Sequence, residues 1–242
     1  MSSHVTVLLE IIMINPTITA RLDKAFARLD KLQPNDDPAI PAHLQYPYAV
    51  MMSAIRIDGN LQQAAIAAAL SENQDLIVLC NPDIYIPQVA DQFVDNELRP
   101  EALQGSLLYY CHGVGRKTRP DMVIADKAKG IIDIIEIKRG LGKNDAGKSR
   151  QTLRDLRCLG LIGVSYARSH LNVEVSRATA ALCSIYGAST LPPDLMVSLE
   201  DLEMRYGIDI RFRLKQVQMS FKERLDTLLC LKSKAASDQI HV

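Results

Sequence analysis

The stretch "RPDMVIADKAKGIIDIIEIKR", residues 119–139, decides how this chain is read. Two apolar runs, 119–126 and 131–139, flank "KAKG" at 127–130, a short polar connection of the kind that joins antiparallel strands. In the second run Ile132, Ile134, Glu136 and Lys138 share one face, because strand side chains alternate with period two. Ile131, Asp133, Ile135 and Ile137 share the other face, which makes Asp133 structural. If "KAKG" is a four-residue hairpin loop, Asp126 pairs with Ile131. Counting back sets Asp121 opposite Glu136 on one face, within about 5.5 Å. Two carboxylates that close repel, and a bound cation resolves the repulsion. A slip of one residue would separate them.

Phosphodiester cleavage asks for this set. It needs an attacking water, a cation that stabilises charge on the phosphate, and a group beside them that orients the water. Mg²⁺ takes oxygen ligands and usually one or two protein carboxylates. Pro120-Asp121, fourteen residues, then Glu136-Ile137-Lys138 resembles the PD-(D/E)xK nuclease superfamily, the restriction-endonuclease-like group. The resemblance covers roughly residues 88–187. It implies an α/β fold: a central mixed sheet with an antiparallel meander, flanked by helices, here with an N-terminal helical extension. It further implies a Mg²⁺-dependent endodeoxyribonuclease, with Mn²⁺ able to substitute. Asp121, Glu136 and the Ile137 backbone carbonyl would hold the metal, and Lys138 would position or activate the water. Many members add an acid from the first core helix, for which Glu97 is the nearest residue and Glu101 the second.

A rival pattern overlaps this one. Gly142–Ser149, "GKNDAGKS", spells the phosphate-cradling loop of nucleotide-binding proteins, with Lys148 on the phosphates and Ser149 on Mg²⁺. Its feeding strand should be a buried apolar run. Here that strand ends Glu136-Ile137-Lys138-Arg139, and no later apolar run ends in Asp. The remaining alternative is a non-catalytic nucleic-acid-binding module.

The wider chain fits one large domain or a core with an extension: 242 residues, 48% hydrophobic, 23% charged, net charge zero. The neutral total hides an asymmetry. Residues 1–111 hold 6 basic and 13 acidic side chains, residues 112–168 hold 13 and 6, and residues 169–242 hold 9 of each. A basic centre attracts phosphates whatever the total charge. Arg116, Lys117 and Arg119 precede Asp121 and suit phosphate contacts. Lys148 and a stripe of Arg150, Arg154 and Arg157 at helical spacing extend the surface, with Gln151 beside it. DNA is the expected partner and RNA the alternative. One site per chain and a double-strand cut favour a homodimer.

Five scattered cysteines fit neither a zinc site nor a disulfide framework and point to a reduced, cytoplasmic protein. "VTVLLEIIMI" (5–14) is too short and too interrupted by Glu10 for a membrane span, and reads as a strand or core segment. Helical spacing marks 16–32, 44–56, 60–72, 87–98, a helix from about 147, 198–206 and 220–234. Residues 75–80 fit strand or helix. Residues 106–113 read as the first strand of an antiparallel meander with 119–126 and 131–139, and 208–215 as a further strand. Two regions follow: 1–86, mainly helical, and 87–242, the nuclease core with its C-terminal helix. His112 has no partner at ligand spacing and reads as structural, while Tyr109 and Tyr110 read as alternating between core and solvent.

Overall fold

The structure is a computed structural model that describes residues 14–34, 36–96, 107–139, 146–186 and 191–240. The chain forms two compact units, residues 1–68 with 212–242, and residues 69–211. Most of 5–14 and all of Glu97 and Glu101 lie outside the described residues.

In the first unit, α1 spans Pro16–Asp30. Its start is dictated locally: the Asn15 side chain accepts a hydrogen bond from Thr17 N–H at 2.9 Å, and Pro16 occupies the first turn, where its missing N–H costs nothing. Helix α2 runs unbroken over Ala42–Leu70, not as the two helices expected at 44–56 and 60–72. The turn-prone Asp58-Gly59-Asn60 is held inside the helix. Asp58 is turned inward and accepts a hydrogen bond from Gln62 at 2.7 Å, one turn on. Ala54, Leu61, Ala65 and Ile66 are buried on either side, and that burial exceeds the helical cost of one glycine, about 1 kcal/mol.

The second unit is built on a five-stranded sheet of β1 (Leu76–Cys80), β4 (Met122–Asp126), β5 (Ile131–Lys138), β6 (Arg177–Ser184) and β7 (Met196–Val197), in that spatial order. The β1/β4 and β4/β5 pairs are antiparallel; β5/β6 and β6/β7 are parallel. A small ladder joins β2 (Ile84–Ile86) to β3 (Arg116–Thr118). Helix α3 spans Gln88–Asn96, and α4 (Ala146–Tyr166) carries the chain from β5 back to β6. The chain is therefore mixed α/β, as expected. Strands β1 and β2, numbered below residue 86, belong to this unit.

The meander exists, but its first strand is residues 76–80. Residues 107–113 carry no strand and lie instead along α4: Leu108 N–H donates to Leu161 O at 2.8 Å, and Tyr110 N–H to Ser165 Oγ at 2.9 Å. β-type composition reports a half-buried extended chain and does not say which backbone it pairs with. Residues 208–215 are also corrected. Helix α5 spans Leu199–Tyr206, and Ile210 opens α6, Ile210–Ile240. Ile210, Leu214, Val217 and Phe221 are all buried, a helical spacing visible only beyond the eight-residue window.

The hairpin follows the sequence. Asp126 Oδ1 accepts from Ala128 N–H at 3.0 Å and Lys129 N–H at 2.8 Å, and Gly130 takes the left-handed φ of 61° that closes the turn. Asp126 consequently pairs with Ile131 and Met122 with Ile135. On one sheet face, Val123, Ala125, Ile132 and Ile134 pack under α4 with Leu156, Leu159 and Ile162. Gly163 permits the close approach: a Cβ there would lie 2.6 Å from the Ala178 side chain. On the other face, buried Asp133 accepts from Arg205 Nη1 and Tyr206 Oη of α5, each at 2.5 Å.

Candidate metal and phosphodiester site

Carried one residue past the Met122–Ile135 pair, the register sets Asp121, one residue ahead of β4, opposite Glu136 near the end of β5. Alternation then sets both on the face that carries Val123 and Ile134. Lys138, two residues on, shares it, and its Nζ lies 2.5 Å from Glu136 Oε1. The three side chains singled out in the sequence are thus brought to one sheet end.

Asp121 Oδ2 accepts from Ile137 N–H at 2.6 Å. A strand residue sends its N–H and C=O to the same neighbour. The Ile137 carbonyl therefore projects toward the Asp121 side as well. Extending the register one step would set Ile137 opposite Pro120, which has no N–H to donate. A proline directly before the aspartate thus ends the ladder where the carboxylates begin.

Burial first, and then the Glu136 charge, push the Asp121 carboxyl up to about 6 against the Ile137 N–H bond and Lys138, which pull the other way. Desolvation and like-charge repulsion outweigh one backbone hydrogen bond and one ammonium. A second positive charge would relieve the excess, which is what an oxygen-preferring cation supplies. Two carboxylates plus a carbonyl match the protein share of a Mg²⁺ shell. Among the described residues no cluster of three or more His, Cys, Asp or Glu is arranged for a metal.

A cation held by these carboxylates would bind in a pH-dependent way. Below about pH 6 the ion competes with the Asp121 proton, so affinity falls as pH drops. The rise in melting temperature on adding Mn²⁺ should be several-fold larger at pH 7.5 than at pH 5, read by thermal shift. An equal rise at both would show that Asp121 is not a ligand.

The expected phosphate contacts divide sharply. Arg116 is held by Asp91 at 2.9 Å and Asp155 at 2.6 Å. Lys117 and Arg119 both meet Asp83, at 2.5 and 2.7 Å. Arg154 is tied to Asp95 at 2.6 Å and Asp91 at 3.3 Å, and Gln151 donates to Asp155 at 2.7 Å. Asp83 and Asp91 sit below the usual carboxylate range: Asp83 through hydrogen bonds to Lys117 and Arg119, and Asp91 because the Arg116 hydrogen bonds and charge, with Arg154, outweigh its burial. Much of the central basic excess is therefore neutralised by acids from β2, α3 and their connections. Lys148 and Arg150 are exposed in the first turns of α4, and Arg157 is half-buried further along.

Residues 142–145 lie outside the described residues, and Ala146 begins α4. The β5–α4–β6 connection has the strand–helix–parallel-strand order that a nucleotide-binding loop uses. However, β6, "RATAALCS", carries no carboxylate for Mg²⁺. His112, read as structural, stacks on His170 at 5.0 Å and has Tyr110 Oη 3.2 Å from its Nδ1. Sequence reading missed His170, which sits 58 positions away with no motif to announce it.

No protein-family model matches the chain, and no curated protein does. Among solved structures, an N-terminal domain of a reptarenavirus L protein is similar over 88% of this chain and 92% of that one, with 16% identity and a TM-score of 0.27. No helix among the described residues is long and apolar enough to cross a membrane.

Proposed function

We propose that the chain is a metal-dependent nuclease of the PD-(D/E)xK type, hydrolysing phosphodiester bonds of DNA at Asp121, Glu136 and Lys138. The opposition of Asp121 and Glu136, with Asp121 raised to about 6, carries this reading. A purely structural surface carboxylate has no reason to be buried beside another. Bound Mg²⁺ or Mn²⁺ would supply Lewis-acid stabilisation of the charge that develops on the phosphate. Asp121 and Glu136 would hold it, with the Ile137 carbonyl. Lys138, fixed beside Glu136, orients the attacking water by hydrogen bonding. As the water oxygen bonds to phosphorus its proton passes to solvent, and the bond to the leaving sugar oxygen breaks with that oxygen taking up a proton from solvent.

The test is incubation of plasmid and RNA with Mg²⁺ or Mn²⁺, using wild type, Lys138→Ala and Lys148→Ala. DNA cleavage lost only with Lys138→Ala is expected, with a rate at least about a hundredfold lower. ATP hydrolysis lost with Lys148→Ala would overturn the reading in favour of the nucleotide loop. Retained cleavage in Lys138→Ala would remove Lys138 from the chemistry.

A further inference from the structure

If the central basic segment is largely paired internally, nucleic acid needs cations elsewhere. The first unit has them. A cleft of about 290 Å³ between α1 and α2 is lined by Arg21, Lys24 and Arg28, with Asn60 opposite and Ile57 and Leu61 at its floor. Positions 21, 24 and 28 fall on one helix face. Among the described residues none of the three has an ion-pair or hydrogen-bond partner. Among the described residues no acidic side chain lines the cleft. The acids nearest in sequence are engaged: Asp23 pairs with Arg224 at 2.6 Å, Asp30 has a partner, and buried Asp58 binds Gln62.

We infer that this cleft is a binding site for the phosphate backbone of nucleic acid, separate from the Asp121/Glu136 site. The inference rests on the nuclease reading for the choice of ligand. Its geometry argues for a run of phosphates over a single one. Residues 21 to 28 span about 10 Å of helix axis, at 1.5 Å per residue. A single phosphate would have to draw all three long side chains to one point, whereas successive phosphates of a strand meet them where they stand. Three cations held apart with no carboxylate between them repel one another in the free protein. That repulsion is relieved by a polyanion and by nothing else lining the cleft. Asn60 adds an amide donor for a phosphate or sugar oxygen, a contact that fixes position without reading sequence.

Binding of a short fluorescein-labelled DNA strand and of its duplex, measured by anisotropy in EDTA, tests this without cleavage. Each contact released should lower the slope of log K against log salt by about 1. The triple variant Arg21→Gln/Lys24→Gln/Arg28→Gln should therefore lose a slope of about 2–3 and bind at least tenfold more weakly at moderate salt. Each single variant should lose about one third of that, which guards against a triple variant that folds poorly. Hydrolysis of bis(p-nitrophenyl) phosphate with Mn²⁺, which needs no backbone contact, should be unchanged. Unaltered slope and affinity in the triple variant would overturn the inference. So would competition by inorganic phosphate as effective, per phosphate, as DNA, which would mark a single-anion site. Absent diester hydrolysis with binding still dependent on the three cations would instead defeat the nuclease reading and leave the cleft intact.

Discussion

Asp121→Asn is expected to lower cation-dependent cleavage at least about a hundredfold while raising thermal stability. The two effects have one cause. In the cation-free protein Asp121 keeps its proton to about pH 6, while in the unfolded chain it is released near 3.8. The folded state therefore binds more protons between those values. Stability from this group is full below pH 3.8, falls as pH rises toward 6, and is absent above it. Asparagine removes the charge and its repulsion with Glu136 but keeps an oxygen for the Ile137 N–H. The variant and wild type should melt together near pH 4. By pH 7.5, without metal, the variant should melt higher by roughly 2–6 °C, for a gain of about 1–2 kcal/mol. With saturating Mn²⁺ the order should reverse, because only wild type gains the ion. Calorimetry across pH and metal reads all three conditions. A variant less stable than wild type at pH 7.5 without metal would refute the strained-carboxylate account.

Asp133→Ala is the largest expected loss of stability. Its carboxylate is 1% exposed and takes hydrogen bonds from Arg205 and Tyr206, both at 2.5 Å. Removing one partner of such a pair strands the other, at about 3–5 kcal/mol. For a chain of this size that is a fall of roughly 10 °C in melting temperature. Adding Arg205→Met should recover part of it, since the stranded guanidinium is then gone. Additive losses in the double variant would show that the two groups are not coupled. Cleavage by any Asp133→Ala protein that remains folded should persist, because Asp133 faces α5 and not Glu136.

These two aspartates show what was legible. Period-two alternation assigns Asp133 and Glu136 to opposite faces from eight residues of sequence. Hairpin counting from "KAKG" then brings Asp121 to Glu136. Both steps are local, so no distant partner could alter them. Other strand assignments lacked that protection. Residues 107–113 and 208–215 have strand-like composition, but their partners are α4 in one case and a continuing helix in the other. The same applies to function. Arg150, Arg154 and Arg157 look equivalent as a basic stripe. Yet Arg154 is bound to Asp95, 59 positions away, and Arg116 to Asp91, 25 positions away.

By itself the sequence determined the α/β class, the Asp126–Gly130 turn, and the convergence of Asp121, Glu136 and Lys138 at one sheet end. Each depends on alternation and turn chemistry within about twenty residues. The tertiary structure alone decided which strand begins the meander, which cations are already neutralised, and that Arg21, Lys24 and Arg28 share a cleft free of acids. Charge has a long reach and composition does not record who pairs with whom. A basic segment identified by counting is therefore a neutral one wherever the fold brings acids to it.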